Sequence, residues 1–162
     1  MPRFDPETAI IALELQQILS EFAHDLDFNS CRGIAEFYAE DGMFAVGDFT
    51  HKGRAAIRKF YEDRNVRVAA QHKDGIRVSA HTFLNVRVAI ADKNNATLFF
   101  TNVNYAGEGQ PPVRATISPA MITDCQMKFR REAGGNWLIT SFSGKPLFVG
   151  DDPFTKGQLL KS

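Results

Sequence analysis

Ile76-Arg77-Val78-Ser79-Ala80-His81-Thr82-Phe83-Leu84-Asn85-Val86-Arg87-Val88-Ala89-Ile90 is the longest run of strand-forming character in the chain. It is rich in β-branched residues and reads as one long strand. Asp92-Lys93-Asn94-Asn95 follows as a hairpin turn, and Thr97 to Tyr105 as a second long strand. Gly107 to Pro112 reads as a loop. Ala120 to Glu132 is a third long strand, Gly134-Gly135-Asn136 a turn, and Trp137 to Val149 a fourth strand.

Upstream the period changes from two to 3.6. Ile10, Leu13, Ile18, Phe22 and Leu26 fall near one face of a first helix, entered through Asp5-Pro6-Glu7 and ending near Asp27 to Ser30. Ser30 is placed to cap a second helix, Cys31 to Tyr38. Glu40-Asp41-Gly42 reads as a turn, Met43 to Val46 as a short strand and Gly47-Asp48 as a further turn. Gly53 precedes a third helix from Arg54 to about Asn65, with Ile57, Phe60 and Tyr61 as its apolar stripe.

Helices first and hairpin-linked strands after them predict an α+β domain, with the helices on one side of an antiparallel sheet. Strands this long must bend to cover three helices. A bent sheet with helices across its open side encloses a cone-shaped interior, the kind of concave space that suits a small molecule. The whole chain, 1–162, reads as one domain, with 151–162 as a polar C-terminal tail of some helical promise.

Composition narrows the function. Nineteen basic residues balance nineteen acidic ones, so the electrostatic footprint of a nucleic-acid binder is missing. No apolar run approaches the ~20 residues that span a bilayer, and the amino terminus lacks the apolar segment of a signal peptide. Cys31 and Cys125 form no metal-ligand spacing. The expectation is a reduced cytoplasmic protein without metal or organic cofactor.

With no nucleophile elbow, P-loop, dinucleotide fingerprint or HExxH present, histidine and carboxylate chemistry remains. His81 lies well inside the long strand. Imidazole exchanges protons near neutral pH, and a carboxylate at the end of the first helix, Asp27, can orient it. Strict alternation gives a competing reading. Val78, Ala80, Leu84, Val86, Val88 and Ile90 form the apolar face, which leaves His81 with Arg77, Ser79, Asn85 and Arg87 on a solvated one. Phe83 shares His81's face and argues for a covered one.

Asn102 and Asn104 share a face with Leu98 and Phe100; their amides can reach a ligand or bond within the sheet. His24, His51 and His72 read as surface residues. Asp124, if buried, needs a basic partner, and Trp137 reads as core or interface. Lys128, Arg130 and Arg131 read as a solvated strand end.

Several motifs, in order, resemble the SnoaL-like family of the nuclear-transport-factor-2-like superfamily. They are His24-Asp25-Leu26-Asp27, Ile34 to Phe44, Lys52 to Tyr61, His81 to Val88, and Gly134-Gly135-Asn136-Trp137-Leu138-Ile139. The likeness covers about residues 7–149. It implies a cone of curved antiparallel sheet with about three helices, commonly as a dimer. The family includes polyketide cyclases, scytalone dehydratase and bile-acid dehydratase. Ring-hydroxylating dioxygenase small subunits have a similar fold. In the dehydratases a strand histidine pairs with an aspartate at the end of the first helix; those roles fall on His81 and Asp27.

The dehydratases also place tyrosines near the pocket, where this chain has Phe22 and Leu26. Tyr105, on a strand, is the expected substitute. The resulting expectation is a lyase or isomerase acting on a small cyclic or polyketide-like substrate, as a homodimer. His81 and Asp27 are its catalytic pair, and Tyr105, Asn102, Phe22 and Phe83 its substrate wall. The alternatives are a non-catalytic binding or assembly module, or a dioxygenase small subunit.

Overall fold

The computed structural model describes residues 4–115 and 117–159. The two ends of the expected 1–162 domain, and the last three residues of the expected tail, lie outside the described residues.

Helix α1 spans Pro6–Phe28. The Asp5 carboxylate caps it, accepting from the Thr8 N–H at 2.8 Å, and Pro6 occupies the first turn, where a missing donor does no harm. Its buried stripe runs through Ile11, Leu15, Leu19, Phe22 and Leu26. The expected stripe was right for Phe22 and Leu26 and wrong for Ile10 and Leu13, which are 59% and 67% exposed. The spacing from Ile11 keeps a single face for four turns; a stripe through Ile10 and Leu13 does not.

No second helix forms over Cys31 to Tyr38, and Ser30 caps nothing. Ser30 and Cys31 both take left-handed backbone, at φ 54° and 59°, in a tight reversal after α1. The buried Asp25 carboxylate holds this reversal: both oxygens accept from the Gly33 N–H at 3.1 Å, and Oδ1 also accepts from Asn29 Nδ2 at 2.5 Å. Only Ile34–Phe37 winds, as one short 3-10 turn.

Strand β1 then runs Tyr38–Val46, longer than expected, and takes in Glu40-Asp41-Gly42. Gly42 is needed for close approach rather than for a turn. A Cβ there would sit 2.9 Å from the carbonyl oxygens of Ala39 and Ile139. Strand β2, Phe49–Lys52, pairs with β1 and was not foreseen. Helix α2 covers Arg54–Gln71, because Val68 extends the Ile57 and Tyr61 stripe beyond Asn65.

Four long strands follow: β3 (Arg77–Asp92), β4 (Asn95–Glu108), β5 (Pro119–Arg131) and β6 (Trp137–Val149). Helix α3, Pro153–Leu159, ends the described chain. The sheet order is β2-β1-β6-β5-β4-β3. Every pair is antiparallel except β1 with β6, which is parallel. The sheet curves without closing, and α1 and α2 lie across its concave side. Phenylalanines 22, 44, 100, 129 and 142 fill the core with Leu15, Leu98, Met127 and Ile139. Trp137 is part of that core, its Nε1 donating to Glu14 on α1 at 3.0 Å. No described helix is long and apolar enough to cross a membrane.

One irregularity governs the site. Leu84 pairs with Thr101, but Arg87, three residues on, pairs with Phe99, two residues back. The extra residue is a β-bulge, and Asn85 absorbs it at φ 55°. A one-residue insertion exchanges the faces of a strand. Before the bulge the odd residues Ser79, His81 and Phe83 turn inward; beyond it the even residues Val86, Val88 and Ile90 do. The single apolar face read from Val78 to Ile90 does not exist.

Candidate functional site

The bulge places Ser79, His81 and Phe83 on the wall of a cavity of about 120 Å³ between sheet and helices. Phe22 and Leu26 of α1 form one side, and Phe60, Tyr61 and Arg64 of α2 another. Asn102 and Asn104 of β4, Thr123 and Cys125 of β5 and Phe142 of β6 form the curved floor. Most of this lining is aromatic or aliphatic, so a ligand here gains chiefly from apolar burial.

The last turn of α1 carries Asp27 up to β3. Its two oxygens do different work. Oδ2 accepts from the His81 backbone N–H at 2.8 Å, and Oδ1 lies 2.6 Å from the ring Nδ1. The backbone bond fixes the carboxylate, and the fixed carboxylate fixes the ring. An ionised carboxylate only accepts, so neutral His81 carries its proton on Nδ1. Nε2 is left with a free lone pair. The Asp27 side chain is 8% exposed and that of His81 16%, so the pair is largely removed from water.

The expected wall residues divide. Asn102, Phe22 and Phe83 line the cavity, and Phe83 packs on Phe100 with ring centroids 4.9 Å apart. Tyr105 does not line it: on β4 it alternates with Asn102 and Asn104 and takes the opposite face, across from Ala80. The tyrosine that lines the cavity is Tyr61. Sequence reading placed Tyr61 in an apolar stripe, where nothing marks a residue that lines a cavity. Burial pushes the Tyr61 phenol well above its ordinary pKa, so it stays protonated and able to donate.

The thiols of Cys31 and Cys125 also line the cavity, and both are free. Burial pushes Cys31 up to about 11 and Cys125 up to about 12, so neither is a thiolate nucleophile at neutral pH. Among the described residues no group of three or more histidines, cysteines or carboxylates could hold a metal ion.

Two histidines read as surface residues are packed instead. His51 lies between Phe44, Phe49 and Phe60, 4.5 Å from the Phe60 ring, and burial lowers its pKa. His72 meets the Phe154 ring edge-on at 4.8 Å. Asp124 is exposed and needs no partner.

Helix α3 adds to the cavity wall. Phe154 and Thr155 line it. Arg77, whose side chain is 5% exposed, binds Asp152 with Nη2–Oδ2 at 2.8 Å and lies 4.7 Å from the centre of the Phe154 ring. The Asp152 carboxylate also accepts from the Thr155 N–H and hydroxyl.

Comparisons with known proteins agree with this architecture. An NTF2-like protein with a cystatin-like fold from Novosphingobium aromaticivorans superposes with a TM-score of 0.67, at 21% identity over 100% of this chain and 99% of that one. A putative scytalone dehydratase from the same organism gives 0.70 at 14% identity, over 90% of each chain. ActVI-ORFA from Streptomyces coelicolor gives 0.69 at 18% identity, over 85% of this chain and 97% of that one. At such identities the likeness establishes the fold alone. No protein of curated function matches in sequence. The model of the SnoaL-like domain matches residues 8–143, most of the chain, and on that ground the chain belongs to the SnoaL-like family.

Proposed function

We propose that the cavity is the active site of a cofactor-independent lyase or isomerase, of dehydratase or cyclase type, acting on a small cyclic or polyketide-like substrate. One observation carries this reading: the buried Asp27–His81 pair, whose free Nε2 belongs to a ring on the cavity wall. His81 is the general base and acid, and Asp27 orients it and stabilises the imidazolium.

In the forward step Nε2 takes a proton from the carbon next to a substrate carbonyl. The C–H electron pair becomes the enolate double bond, and the carbonyl oxygen gains the charge. In an elimination the enolate collapses and expels a hydroxyl from the next carbon. That hydroxyl takes the proton from Nε2 and leaves as water. In an isomerisation the same proton returns to a different carbon. Tyr61 replaces Tyr105 as the donor proposed for the carbonyl oxygen. The apolar wall favours a ring or folded chain over a highly charged metabolite. The same reading places the protein in the cytoplasm as a homodimer, paired through the outer sheet face that carries Leu84 and Tyr105.

The test is proton exchange. Hydroxy-ketones and enones are incubated with the protein in deuterium oxide and followed by NMR. For any ketone the protein deuterates, His81→Ala should lower the rate by roughly 10²–10⁴-fold. Asp27→Asn should lower it in the same direction. Exchange that survives His81→Ala unchanged overturns the assignment. Ligands that bind while none is exchanged favour the second reading, a binding module; the Phe22 and Leu26 positions, without tyrosine, motivate that reading.

A further inference from the structure

Asn102, Asn104 and Thr123 form a polar patch on an otherwise apolar floor. On paired strands His81 stands opposite Asn104, and Asn102 stands opposite Thr123. Side chains paired this way have Cβ atoms about 4.5–5.5 Å apart, so the three groups continue the polar surface that His81 begins. All three are buried: Asn102 is 7% exposed, Asn104 9% and Thr123 1%.

Their buried oxygens have no partner. Asn102 Oδ1, Asn104 Oδ1 and Thr123 Oγ1 are three of the six such side-chain atoms among the described residues, and all three lie in this patch. A folded chain satisfies nearly all of its buried polar atoms, so three orphans on one cavity floor ask for a partner from outside the protein. An amide rotated about its last bond exchanges oxygen for NH₂, and a hydroxyl both donates and accepts. The patch can therefore meet either a hydroxyl or a carbonyl.

We infer that Asn102, Asn104 and Thr123 are specificity-determining residues that select a ligand with a second oxygen function, beyond the one next to His81. The inference rests on the cavity being a substrate site, as proposed above, but it does not require His81 to act as a base. Purely hydrocarbon ligands, and ligands with one oxygen, leave the patch unpartnered and bind less well.

Equilibrium binding tests this separately from catalysis. Benzene, phenol and resorcinol are titrated into wild-type protein and into Thr123→Val, Asn104→Leu and His81→Ala, with affinity read by NMR. In the wild type resorcinol should bind more tightly than phenol by roughly two- to tenfold, the range of one net hydrogen bond. Thr123→Val and Asn104→Leu should each reduce that step while leaving benzene affinity undiminished. His81→Ala should still bind phenol more tightly than benzene, because the patch then takes the single hydroxyl. Equal binding of the three probes by wild type overturns the inference, as does a resorcinol preference untouched in both patch variants. Absence of ketone exchange in the wild type, with the resorcinol preference intact, overturns only the acid–base reading.

A second readout guards against a purely structural role. Valine matches the shape of threonine and removes the orphan hydroxyl. Ligand-free Thr123→Val should melt higher, by about 2–4 °C for a gain of order 1 kcal/mol in a chain this size. A lower Tm would mark the Thr123 hydroxyl as a structural hydrogen-bonding group and overturn its part in the patch.

Discussion

Asn85 is the residue on which the site turns. Its φ of 55° lets β3 carry one extra residue, and that residue brings His81 inward while still burying Val86, Val88 and Ile90. Asparagine tolerates left-handed backbone better than most residues, and a β-branched side chain there is strained. Asn85→Gly should therefore be close to neutral for stability. Asn85→Val should cost about 1–3 kcal/mol. Chemical denaturation checks both; equal stability of the two variants would show that the bulge does not depend on this backbone position. If the valine variant removes the bulge instead of straining it, the His81 ring turns away from Asp27. Exchange activity then falls more than the stability loss explains.

At the scale of elements, α1, β3 and α3 hold the site together at both ends. The end of α1 supplies Asp27. Asp25, two residues earlier, closes the reversal that follows; a Cβ on Gly33 would sit 2.6 Å from its Oδ1. At the mouth, Arg77 on β3 latches α3 through Asp152. Burial pulls the Asp152 carboxyl up, but hydrogen bonds from Arg77 and Thr155 with the Arg77 charge outweigh it and hold it below the ordinary value. A folded-state pKa below the unfolded one means the latch contributes fully above about pH 4. That contribution fades as pH falls through the lower folded value. Asp152→Asn removes the charge at neutral pH. It should speed amide exchange across 154–159 there, with the sheet strands unchanged. Unchanged exchange in α3 would show that Phe154 packing alone holds it.

His72 bears on the same latch. Its Nε2 lies 3.1 Å from Arg77 Nη1, a donor, so Nε2 accepts and the proton sits on Nδ1. Burial first, and the Arg77 charge second, lower its pKa. Neutral His72 is therefore the form that packs against the docked helix.

Across the whole molecule, the two thiols report on the cavity. Cys31 comes from the reversal after α1 and Cys125 from β5, and both are buried and free. No disulfide bridges them. A thiol reagent at neutral pH should leave native protein unlabelled and modify both cysteines once the chain is unfolded. Reductant should leave Tm unchanged. Rapid labelling of one thiol in native protein would show that the cavity opens readily to solvent.

The class of fold was legible in local pattern: one long amphipathic helix, hairpin turns at Asp92 to Asn95 and at Gly134 to Asn136, and strands too long for a flat sheet. Periodicity and turn chemistry are local, so they survive without a structure. The sequence also named His81 and Asp27 as partners, 54 residues apart in the chain, through the resemblance and the chemistry of imidazole. Tertiary structure decided which face His81 takes, because alternation assumes an unbroken strand and the Asn85 bulge breaks it. It moved the tyrosine of the cavity wall from Tyr105 to Tyr61, since β4 keeps its alternation and turns Tyr105 outward. It recruited Tyr38 to Gly42 into β1 by parallel pairing with β6, a partner about a hundred residues away that no local pattern encodes. It also brought the orphan oxygens of Asn102, Asn104 and Thr123 together, because only the packed sheet withholds every other partner from them.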